Sequence, residues 1–430
     1  MPKAIFHTFG CRLNQTESAI MAKGLELIGY EIVTDTDSAD LCVINTCTVT
    51  NQSDNKCMQK IRSVQHNNPD AIIAVVGCFS QVSSQRILEL GRVHLILGND
   101  NKFELHNYVS KIKSTDEPIV KITPLSKKPF KIDTLGQHLT STRANIKIQD
   151  GCDFKCSYCL IPTARGRSRS REISNIKQEV IEMARMGVKE IVLTGVNVGA
   201  FQYQGIDMMG LLEILNAIEG IQRIRISSIE PTTIGTDIFD LMKDPDHKLL
   251  PYLHLPLQSA DDTILKKMRR RYLFEEYREF VLMAVENVPG ICIGSDVIVG
   301  FPGETAEMFQ ETVNQLKQTP VHYFHVFSFA ERQGTTAAKM DQRVPGQIMA
   351  KRSSILRKLS NEKREGFIRQ NLGRVLSVLF EGNNKGNQWQ GYSENFIRVF
   401  VTSDNDLKNE IRPVRINEFA TGHANGEIID

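Results

Sequence analysis

The chain has 430 residues, of which 41% are hydrophobic and 24% are charged, and its formal net charge is +2. These values are typical of a soluble globular protein with room for two or three domains, and the overall charge points to no particular partner. The longest apolar run, Ala71 to Phe79, is too short to span a bilayer, so we expect no membrane association. Nine cysteines without a signal peptide argue against a disulfide framework and predict a cytoplasmic protein with thiols available for metal.

Residues 1–115 alternate strand and helix patterns, which predicts an open parallel sheet. Cys11, Cys47 and Cys78 each follow a predicted strand. The carboxyl ends of parallel strands share one edge, where ligand sites form. The pattern therefore predicts a site for a metal cluster held by three thiolates. The other three cysteines outside the central motif have simpler interpretations: Cys42 and Cys292 as small core residues, and Cys57 as a helix residue without a nearby partner.

Residues 116–138 are rich in proline and lysine and are predicted to form a linker or a surface extension. From Pro118 to Arg171 there are 11 Lys and Arg against 3 Asp, which favours a polyanionic partner such as RNA. Alternate arginines on an extended segment point to one face. We expect that face to bind phosphates, with pairing to carboxylates inside the fold as the alternative. The four arginines are Arg165, Arg167, Arg169 and Arg171.

The most specific signal is the C-x3-C-x2-C run of Cys152, Cys156 and Cys159. Three thiolates on a short loop can each bind one iron of a [4Fe–4S] cluster and leave the fourth iron open. A small molecule with an amine and a carboxylate, such as S-adenosylmethionine, can chelate that iron. A zinc site is the alternative, but structural zinc needs four ligands, and no further Cys or His follows before His247.

Residues 139–369 contain six strand–helix units, which predicts a partial (β/α)6 barrel with its active site at the strand carboxyl ends. Polar and glycine-rich turns follow these strands and are predicted to bind the adenosine and methionine parts of the cofactor. Their candidate residues are Gly195, Asn197, Ser228, Glu230, Gln258, Gly300 and Glu304. Residues 370–430 contain short strands separated by turns and predict a small all-β barrel, whose 6 basic and 8 acidic residues do not by themselves indicate RNA binding.

Taken together, these motifs resemble the radical S-adenosylmethionine methylthiotransferases over essentially the whole chain. The segments that carry the resemblance are Gly10-Cys11-Arg12-Leu13-Asn14-Gln15, Asn45-Thr46-Cys47-Thr48-Val49, Gly77-Cys78, the central cysteine loop with Ala164-Arg165-Gly166, Thr194-Gly195-Val196-Asn197, Leu255-Pro256-Leu257-Gln258-Ser259 and Val299-Gly300-Phe301-Pro302-Gly303-Glu304. The segment from Phe329 to Thr335 departs from the family, because relatives often have a proline before its glycine.

The resemblance implies an α/β protein with an N-terminal cluster domain, a radical core and a C-terminal RNA-binding barrel called TRAM. It implies two [4Fe–4S] clusters, S-adenosylmethionine, a tRNA substrate, an electron donor such as flavodoxin or ferredoxin, and a sulfur source. The dipeptide Arg12-Leu13 resembles the branch that acts on N6-threonylcarbamoyladenosine at position 37 of tRNA. Other branches tend to have Gln-Met or Pro-Lys there and act on isopentenyladenosine or a ribosomal protein.

We therefore expect a methylthio group to be added at carbon 2 of this nucleoside, with Arg12, Arg165 and Arg167 contacting the substrate. Arg12 is the candidate for the carboxylate of the threonylcarbamoyl group, since arginine's planar fork suits carboxylates. Action on isopentenyladenosine or on a ribosomal protein is the alternative within the enzyme class. A tRNA-binding protein whose cysteines hold metal only for structure is the alternative from another class.

Overall fold

The computed structural model describes residues 1–34, 39–112, 117–133, 142–384 and 386–429. The predicted domain boundaries near residues 115 and 138 lie outside these ranges. The fold is mixed α/β, with a parallel sheet at the N-terminal end, a strand–helix core and a closed β-barrel at the C-terminal end. The predicted fold class is confirmed. Within the described ranges, no helix is both long and apolar enough to cross a membrane.

The N-terminal sheet is parallel throughout, with strand order β2-β1-β3-β4-β5-β6. Its central strand β3 is completely buried, as expected for a parallel strand covered by helices on both faces. β6 lies in the segment predicted as a linker and adds a strand to this sheet. The elements are β1 (Lys3–Thr8), α1 (Arg12–Leu27), β2 (Glu31–Val33), β3 (Leu41–Thr46), α2 (Asn51–Asn67), β4 (Ile72–Gly77), α3 (Cys78–Leu88), β5 (Leu95–Leu97), α4 (Leu105–Val109) and β6 (Ile119–Lys121).

The core contains the six predicted parallel strands as two hydrogen-bonded groups of three, β13-β10-β7 and β14-β15-β16. Its elements are β7 (Arg143–Lys147), β8 (Gln149–Asp150), α5 (Ile161–Arg165), β9 (Arg169–Ser170), α6 (Ile173–Arg185), β10 (Glu190–Thr194), β11 (Gln202–Tyr203), β12 (Ile206–Asp207), α7 (Met208–Asn216), β13 (Arg223–Ile226), α8 (Ile238–Lys243), β14 (Tyr252–His254), α9 (Asp262–Met268), α10 (Phe274–Asn287), β15 (Cys292–Val299), α11 (Ala306–Gln318), β16 (Tyr323–Ser328) and α12 (Gly346–Gln370).

Helices cover the outside of the core because their apolar residues recur at helical spacing. In α6, Ile176, Val180 and Met183 are fully buried at positions i, i+4 and i+7, which forms one apolar stripe against the strands. The same buried cluster continues through the strands and into α12. The helices therefore leave the carboxyl ends of the strands uncovered, and this is where active sites lie in barrels of parallel strands.

The C-terminal barrel is closed, with strand order β17-β18-β19-β21-β20. Its strands are β17 (Val375–Asn384), β18 (Gln388–Ser393), β19 (Arg398–Thr402), β20 (Ile411–Ala420) and β21 (His423–Ile428). The barrel packs against the amino ends of the core strands. Arg223 donates to the Ser377 carbonyl at 2.6 Å, and Arg143 forms an ion pair with Glu381 at 2.6 Å. The carboxyl ends of the core strands are thus left to face the N-terminal sheet.

Candidate functional site

Three cysteines lie at the carboxyl edge of the N-terminal sheet, where the strand pattern predicts them. Cys11 precedes α1, Cys47 follows β3, and Cys78 begins α3 directly after β4. Gly10 allows the first two to approach each other, because a Cβ atom at this position would lie 2.7 Å from the Cys47 Sγ. The pKa of Cys47 is raised to about 12, mainly by burial and in part by Cys78 and Cys11. The three thiols therefore share one local environment.

The central cysteine loop begins at Gly151, which follows β8. A Cβ atom at Gly151 would lie 2.1 Å from a backbone carbonyl oxygen of the turn after α5, and its φ of +72° favours glycine. Ser157 fixes the middle of the loop by two hydrogen bonds to carbonyls at the end of α9, at 2.7 and 3.0 Å. Cys152, Cys156 and Cys159 are all partly accessible. The loop is thus rigidly held while its thiols stay open to a ligand.

Several thiols of both triads accept N–H hydrogen bonds. Such bonds stabilise metal-bound thiolates and tune the potential of iron–sulfur clusters. The donors and acceptors are Phe154 N to Cys152 at 3.4 Å, Ile161 N to Cys159 at 3.4 Å, Arg270 Nη1 to Cys156 at 3.6 Å and Asn99 Nδ2 to Cys78 at 3.6 Å. Burial also raises the pKa of Cys159 to about 12, so binding of metal must displace a proton from that thiol.

A cavity of about 200 Å³ lies where the two cysteine loops and the core strands meet. Its walls include Val49 and Thr50 from the loop after Cys47, Tyr158 from the central loop, and Gln258, Asp296 and Phe327 from the core. Val49 is 54% exposed and Phe327 is 41% exposed, although both are large and apolar. The cavity therefore has an apolar rim at these two residues, and Gln258 and Asp296 contribute polar groups to its wall.

A buried network of charges connects the N-terminal sheet to the core beneath this cavity. Glu17 of α1 is fully buried and accepts hydrogen bonds from Arg165 at 2.8 and 2.9 Å, from Lys147 at 2.8 Å and from Lys102 at 2.5 Å. Asp150 accepts from Arg165 at 3.0 Å and from Lys147 at 2.7 Å. Burial alone would raise the pKa of Glu17, but the three cations hold it well below its usual range. The two domains are thus joined by paired charges shielded from water.

This network corrects the prediction for Arg165. Its side chain is 1% exposed and all its described polar contacts are inside the protein, including a 2.7 Å hydrogen bond to Asn14 Oδ1. Asn14 in turn lies next to Cys11, with 3.9 Å between Cys11 Sγ and Asn14 Oδ1. Arg165 therefore holds the two cysteine loops in register and is not accessible to a tRNA phosphate.

The expectation that alternate arginines form one phosphate-binding face is also wrong for Arg169 and Arg171, which pair with carboxylates inside the fold. Arg167 alone of the four reaches solvent, with a side chain that is 69% exposed. The ion pairs are Arg169 with Asp100, Arg171 with Glu179, and Arg167 with Asp153 at 2.8 Å. Of the four, only Arg167 retains a geometry that permits contact with RNA.

Gln149 organises the first predicted cofactor turn, which sequence reasoning did not identify. Its Oε1 accepts from the backbone N–H groups of Val196 and Asn197 at 2.9 and 3.0 Å. Its Nε2 donates to the Gly151 carbonyl at 2.9 Å. A Cβ atom at Gly195 would lie 2.8 Å from the same Oε1, so the turn must approach Gln149 closely. The predicted Gly195 and Asn197 are thereby fixed beside the central cysteine loop.

The second turn contributes Glu230, whose carboxylate forms an ion pair with Arg270. Arg270 also donates to the Pro256 carbonyl at 3.1 Å and to Cys156 Sγ, so it links the cysteine loop to this turn. Burial raises the pKa of Glu230 despite this cation. Ser228 is partly exposed at the end of β13. Arg270 was not predicted from sequence, although it lies in a run of three arginines, residues 269–271.

The last two predicted cofactor residues have different roles. Gly300 has a φ of +76° and stands directly after β15. Glu304 is 5% exposed, and its carboxylate accepts the Gly300 N–H at 2.6 Å and pairs with Arg352 of α12. That carboxylate is therefore already satisfied within the protein. We assign Glu304 to holding the turn, which corrects its prediction as a direct cofactor contact.

Arg12 extends from the Cys11 loop toward the C-terminal barrel. Its guanidinium carbon lies 5.7 Å from the centre of the Phe396 ring, which belongs to the C-terminal barrel. Phe396 has a φ of +67° and stacks on Tyr392 with ring centres 5.1 Å apart. Within the described residues, Arg12 forms no ion pair with a carboxylate. It is thus a cation at the junction of all three parts of the chain.

A second contact between the domains comes from the segment that departs from the family pattern. Arg332 donates to Asn51 Oδ1 at 2.5 Å, to Thr48 Oγ1 at 2.5 Å and to Asp54 Oδ2 at 2.8 Å. Thr48 directly follows Cys47. The sequence marked this segment only as a departure from the family and did not reveal that it holds the N-terminal cysteine loop.

Comparison with known proteins is consistent with this division. Residues 3–98 match the model described as "Uncharacterized protein family UPF0004", and residues 146–316 match the Radical SAM superfamily. The fold of the solved radical S-adenosylmethionine methyltransferase TsrM from Kitasatospora setae is similar, with a TM-score of 0.54 and 16% identity over 76% of this chain and 75% of that chain. The central cysteine triad and its cofactor turns lie within the Radical SAM match.

Full-length relatives decide the family. A protein of Bacillus subtilis named threonylcarbamoyladenosine tRNA methylthiotransferase MtaB is 34% identical over 100% of this chain and 97% of its own length. The chain belongs to the radical S-adenosylmethionine methylthiotransferase family. Another protein of the same name, from Aquifex aeolicus, is 38% identical over 89% of this chain and 94% of its own. A tRNA-2-methylthio-N(6)-dimethylallyladenosine synthase of Clostridium tetani is 32% identical over 98% and 95%.

The cofactors of this family, [4Fe–4S] clusters and S-adenosylmethionine, agree with the predicted ones. The chain has suitable residues for them. One cavity is lined by Val49 and Thr50, which follow Cys47, and by Tyr158, which lies between Cys156 and Cys159; N–H donors point at several of the sulfur atoms. The C-terminal barrel is consistent with a TRAM domain. Membership of this family favours a methylthiotransferase over a protein whose cysteines hold metal only for structure.

Proposed function

We propose that this methylthiotransferase modifies carbon 2 of N6-threonylcarbamoyladenosine at position 37 of tRNA. Relatives named for the threonylcarbamoyl substrate are 34% and 38% identical to this chain, and one named for the dimethylallyl substrate is 32% identical. The observation that carries the proposal is Arg12. It is a cation without a carboxylate partner among the described residues, it is adjacent to Cys11, and its guanidinium lies over the ring of Phe396. A carboxylate on the substrate would satisfy it.

We further propose that Cys152, Cys156 and Cys159 hold the cluster that binds S-adenosylmethionine. Cys11, Cys47 and Cys78 would then hold the second cluster. When bound, these groups supply the radical that removes hydrogen from the unactivated carbon 2 and the sulfur that replaces it. The backbone turns at Gly195, Asn197, Ser228, Glu230, Gln258 and Gly300 are the proposed contacts of S-adenosylmethionine.

The contribution of the chain itself is positioning. Val49 and Phe327 give the cavity an apolar rim that excludes water from an inserted base. The Glu17–Arg165 and Arg332–Asp54 contacts fix the distance between the two cysteine triads. Such fixed geometry replaces the orientational freedom that the reaction would otherwise have to lose.

Residues 1–115, 139–369 and 370–430 are proposed as the cluster domain, the radical core and the RNA-binding barrel, joined by 116–138. The function also requires tRNA, an electron donor such as flavodoxin or ferredoxin, and a sulfur source, all of which are met in the cytoplasm. Arg167 is proposed as a phosphate contact because it is exposed.

The substrate is tested by mass spectrometry of tRNA nucleosides from cells with and without this protein. We expect the methylthio form of threonylcarbamoyladenosine to disappear when the protein is absent. Loss of the methylthio form of isopentenyladenosine instead would assign the other branch.

Arg12→Gln should reduce turnover of threonylcarbamoylated tRNA by about tenfold or more, the effect expected for loss of a charged hydrogen bond. Iron content should be unchanged. Arg62→Gln, an exposed substitution on α2, is the matched control and should keep full activity. Full activity and unaltered substrate preference in Arg12→Gln would show that Arg12 does not bind the carboxylate.

A further inference from the structure

The side of the core that faces the cavity carries a polar group of residues that neither the proposed clusters nor the proposed S-adenosylmethionine contacts use. We call Arg12, His254, Asp296 and His325 the polar floor. In the parallel pairing of β15 and β16, Asp296 is opposite His325 and Ile298 is opposite Phe327. Side chains alternate along a strand, so the side chains of Asp296, Ile298, His325 and Phe327 share one face. Since Asp296, Ile298 and Phe327 line the cavity, His325 faces the same interior, one layer below the apolar rim.

The members of the floor lie close together. His254 Nε2 is 3.2 Å from Asp296 Oδ1, and the rings of His254 and His325 are 5.7 Å apart. Burial would raise the pKa of Asp296, but the two imidazoles, first His254, hold it below its usual value. The floor therefore contains a carboxylate that is already balanced by one imidazole.

Two members of the floor lack partners. Among the described residues, the side chain of His325 forms no hydrogen bond and Arg12 forms no ion pair; His325 is exposed and Arg12 is partly exposed. Burial lowers the pKa of His325, and the charges of His254, Arg364 and Arg12, in that order, lower it further. The guanidinium of Arg12 contacts the ring face of Phe396. Both side chains are therefore accessible to a ligand that carries a carboxylate.

We propose that the polar floor binds the N6 substituent of the target adenosine and selects substituents that carry both a carboxylate and N–H or O–H donors. The inference rests on the proposed function and assigns to it the residues that distinguish the substrates. Arg12 would pair with the carboxylate, His325 would hydrogen-bond to it, and Asp296 would accept from an N–H or O–H of the substituent. An isopentenyl group offers none of these partners and would leave the floor unsatisfied. Sites built for hydrogen bonding reject such analogues strongly.

The test compares binding of two anticodon stem–loop RNAs, one with N6-threonylcarbamoyladenosine and one with plain adenosine, to the full chain loaded with its cofactors. Dissociation constants are measured by fluorescence anisotropy, and iron content is measured in parallel. His325→Leu removes the hydrogen-bonding ring, and His325→Gln keeps a donor and an acceptor. His66→Leu makes the same chemical change at an exposed position of α2 and is the control.

For His325→Leu we expect the preference for the modified RNA to fall by about tenfold, because a hydrogen bond to a charged group is lost. Affinity for the unmodified RNA and iron content should not change, and His325→Gln should retain part of the preference. Asp296→Asn, which keeps the shape of the side chain, should also lower the preference. An unchanged preference in His325→Leu, or equal weakening for both RNAs, would overturn the role of the floor alone. A wild-type protein without any preference would overturn the floor and the proposed substrate together.

Discussion

Replacement of Glu17 by Gln tests whether the buried charges hold the N-terminal sheet on the core. Glu17 is fully buried and receives four hydrogen bonds from three cations, at 2.5 to 2.9 Å. The amide keeps the shape but removes the negative charge, so that Arg165 and Lys147 keep Asp150 as a carboxylate partner, whereas Lys102 keeps its hydrogen bond to Asn99 Oδ1. Breaking a buried ion pair on one side costs about 3–5 kcal/mol, since the other charge stays buried. We expect a loss of stability of that size.

The assay is equilibrium unfolding in urea followed by circular dichroism, with the midpoint of the first transition as the readout. A chain of several domains need not unfold in one step, so the transition that includes the N-terminal sheet is the relevant one. Glu182→Gln is the control, because Glu182 is 47% exposed and lies 3.8 Å from Arg185 on the same helix. Exposed pairs of this kind contribute about 0–1 kcal/mol.

A second substitution sharpens the result. Burial lowers the pKa of Lys102 to about 8, so its charge is costly even with Glu17 present. Adding Lys102→Met to Glu17→Gln removes one excess positive charge and should recover part of the lost stability. Coupled residues give such non-additive effects. If Glu17→Gln is no more destabilising than Glu182→Gln, the buried network does not hold the two domains together.

The remaining predictions concern the cysteine loops and acid stability. Cys156→Ala and Cys47→Ala should each lose about half of the iron in anaerobically purified protein. Only Cys156→Ala should abolish cleavage of S-adenosylmethionine. Equal loss of cleavage in both variants would contradict separate roles for the two clusters. Gly151→Ala should also lose about half of the iron, because its Cβ would lie 2.1 Å from a carbonyl oxygen, whereas Gly187→Ala, with nothing within 4 Å, should keep it. Burial lowers the pKa of His322 to about 4, and its Nδ1 accepts an N–H of β15. In the unfolded chain His322 therefore takes up a proton as pH falls below about 6.5, whereas in the folded chain it stays neutral until about pH 4. The free energy of unfolding should decrease by about 2 kcal/mol between pH 7 and pH 5. Urea titrations at both pH values measure this, and a His322→Gln protein with an equally steep pH dependence would refute the assignment.

The parts of the site that were predictable from sequence are those encoded by local pattern. Cys11, Cys47 and Cys78 follow strands whose apolar runs are legible, and parallel pairing then brings them to one edge. The strands β2, β5 and β6 were not predicted, because three residues give too little periodic signal. The six-residue strand β21 was also not predicted, since its sequence is mostly polar and contains a glycine. The polar turns that follow the core strands identified the cofactor side of the core in the same way, because the carboxyl ends of parallel strands lie at one edge.

The role of Arg165 was not predictable in this way. A local run of arginines does not reveal whether carboxylates distant in sequence will meet it. Glu17 is 148 residues away from Arg165, and the pair forms only when the N-terminal sheet docks on the core. Arg332 and Asp54, 278 residues apart, illustrate the same limit. Contacts between domains decide which charges are buried, and composition alone carries no information about them.

The attachment of the C-terminal barrel to the core has a consequence for how an RNA would be delivered. Arg225 is fully buried and donates to the Glu394 carbonyl at 3.1 Å, so the barrel supplies acceptors to charges of the core. A module on a flexible tether samples many positions, and linker length sets the effective concentration of its ligand at a second site. The C-terminal barrel cannot sample other positions in this way, because it is bonded directly to the core. An RNA held by the barrel would present its target base at a distance set by the shape of the RNA itself, so that only a rigid stem–loop of matching dimensions reaches the cavity.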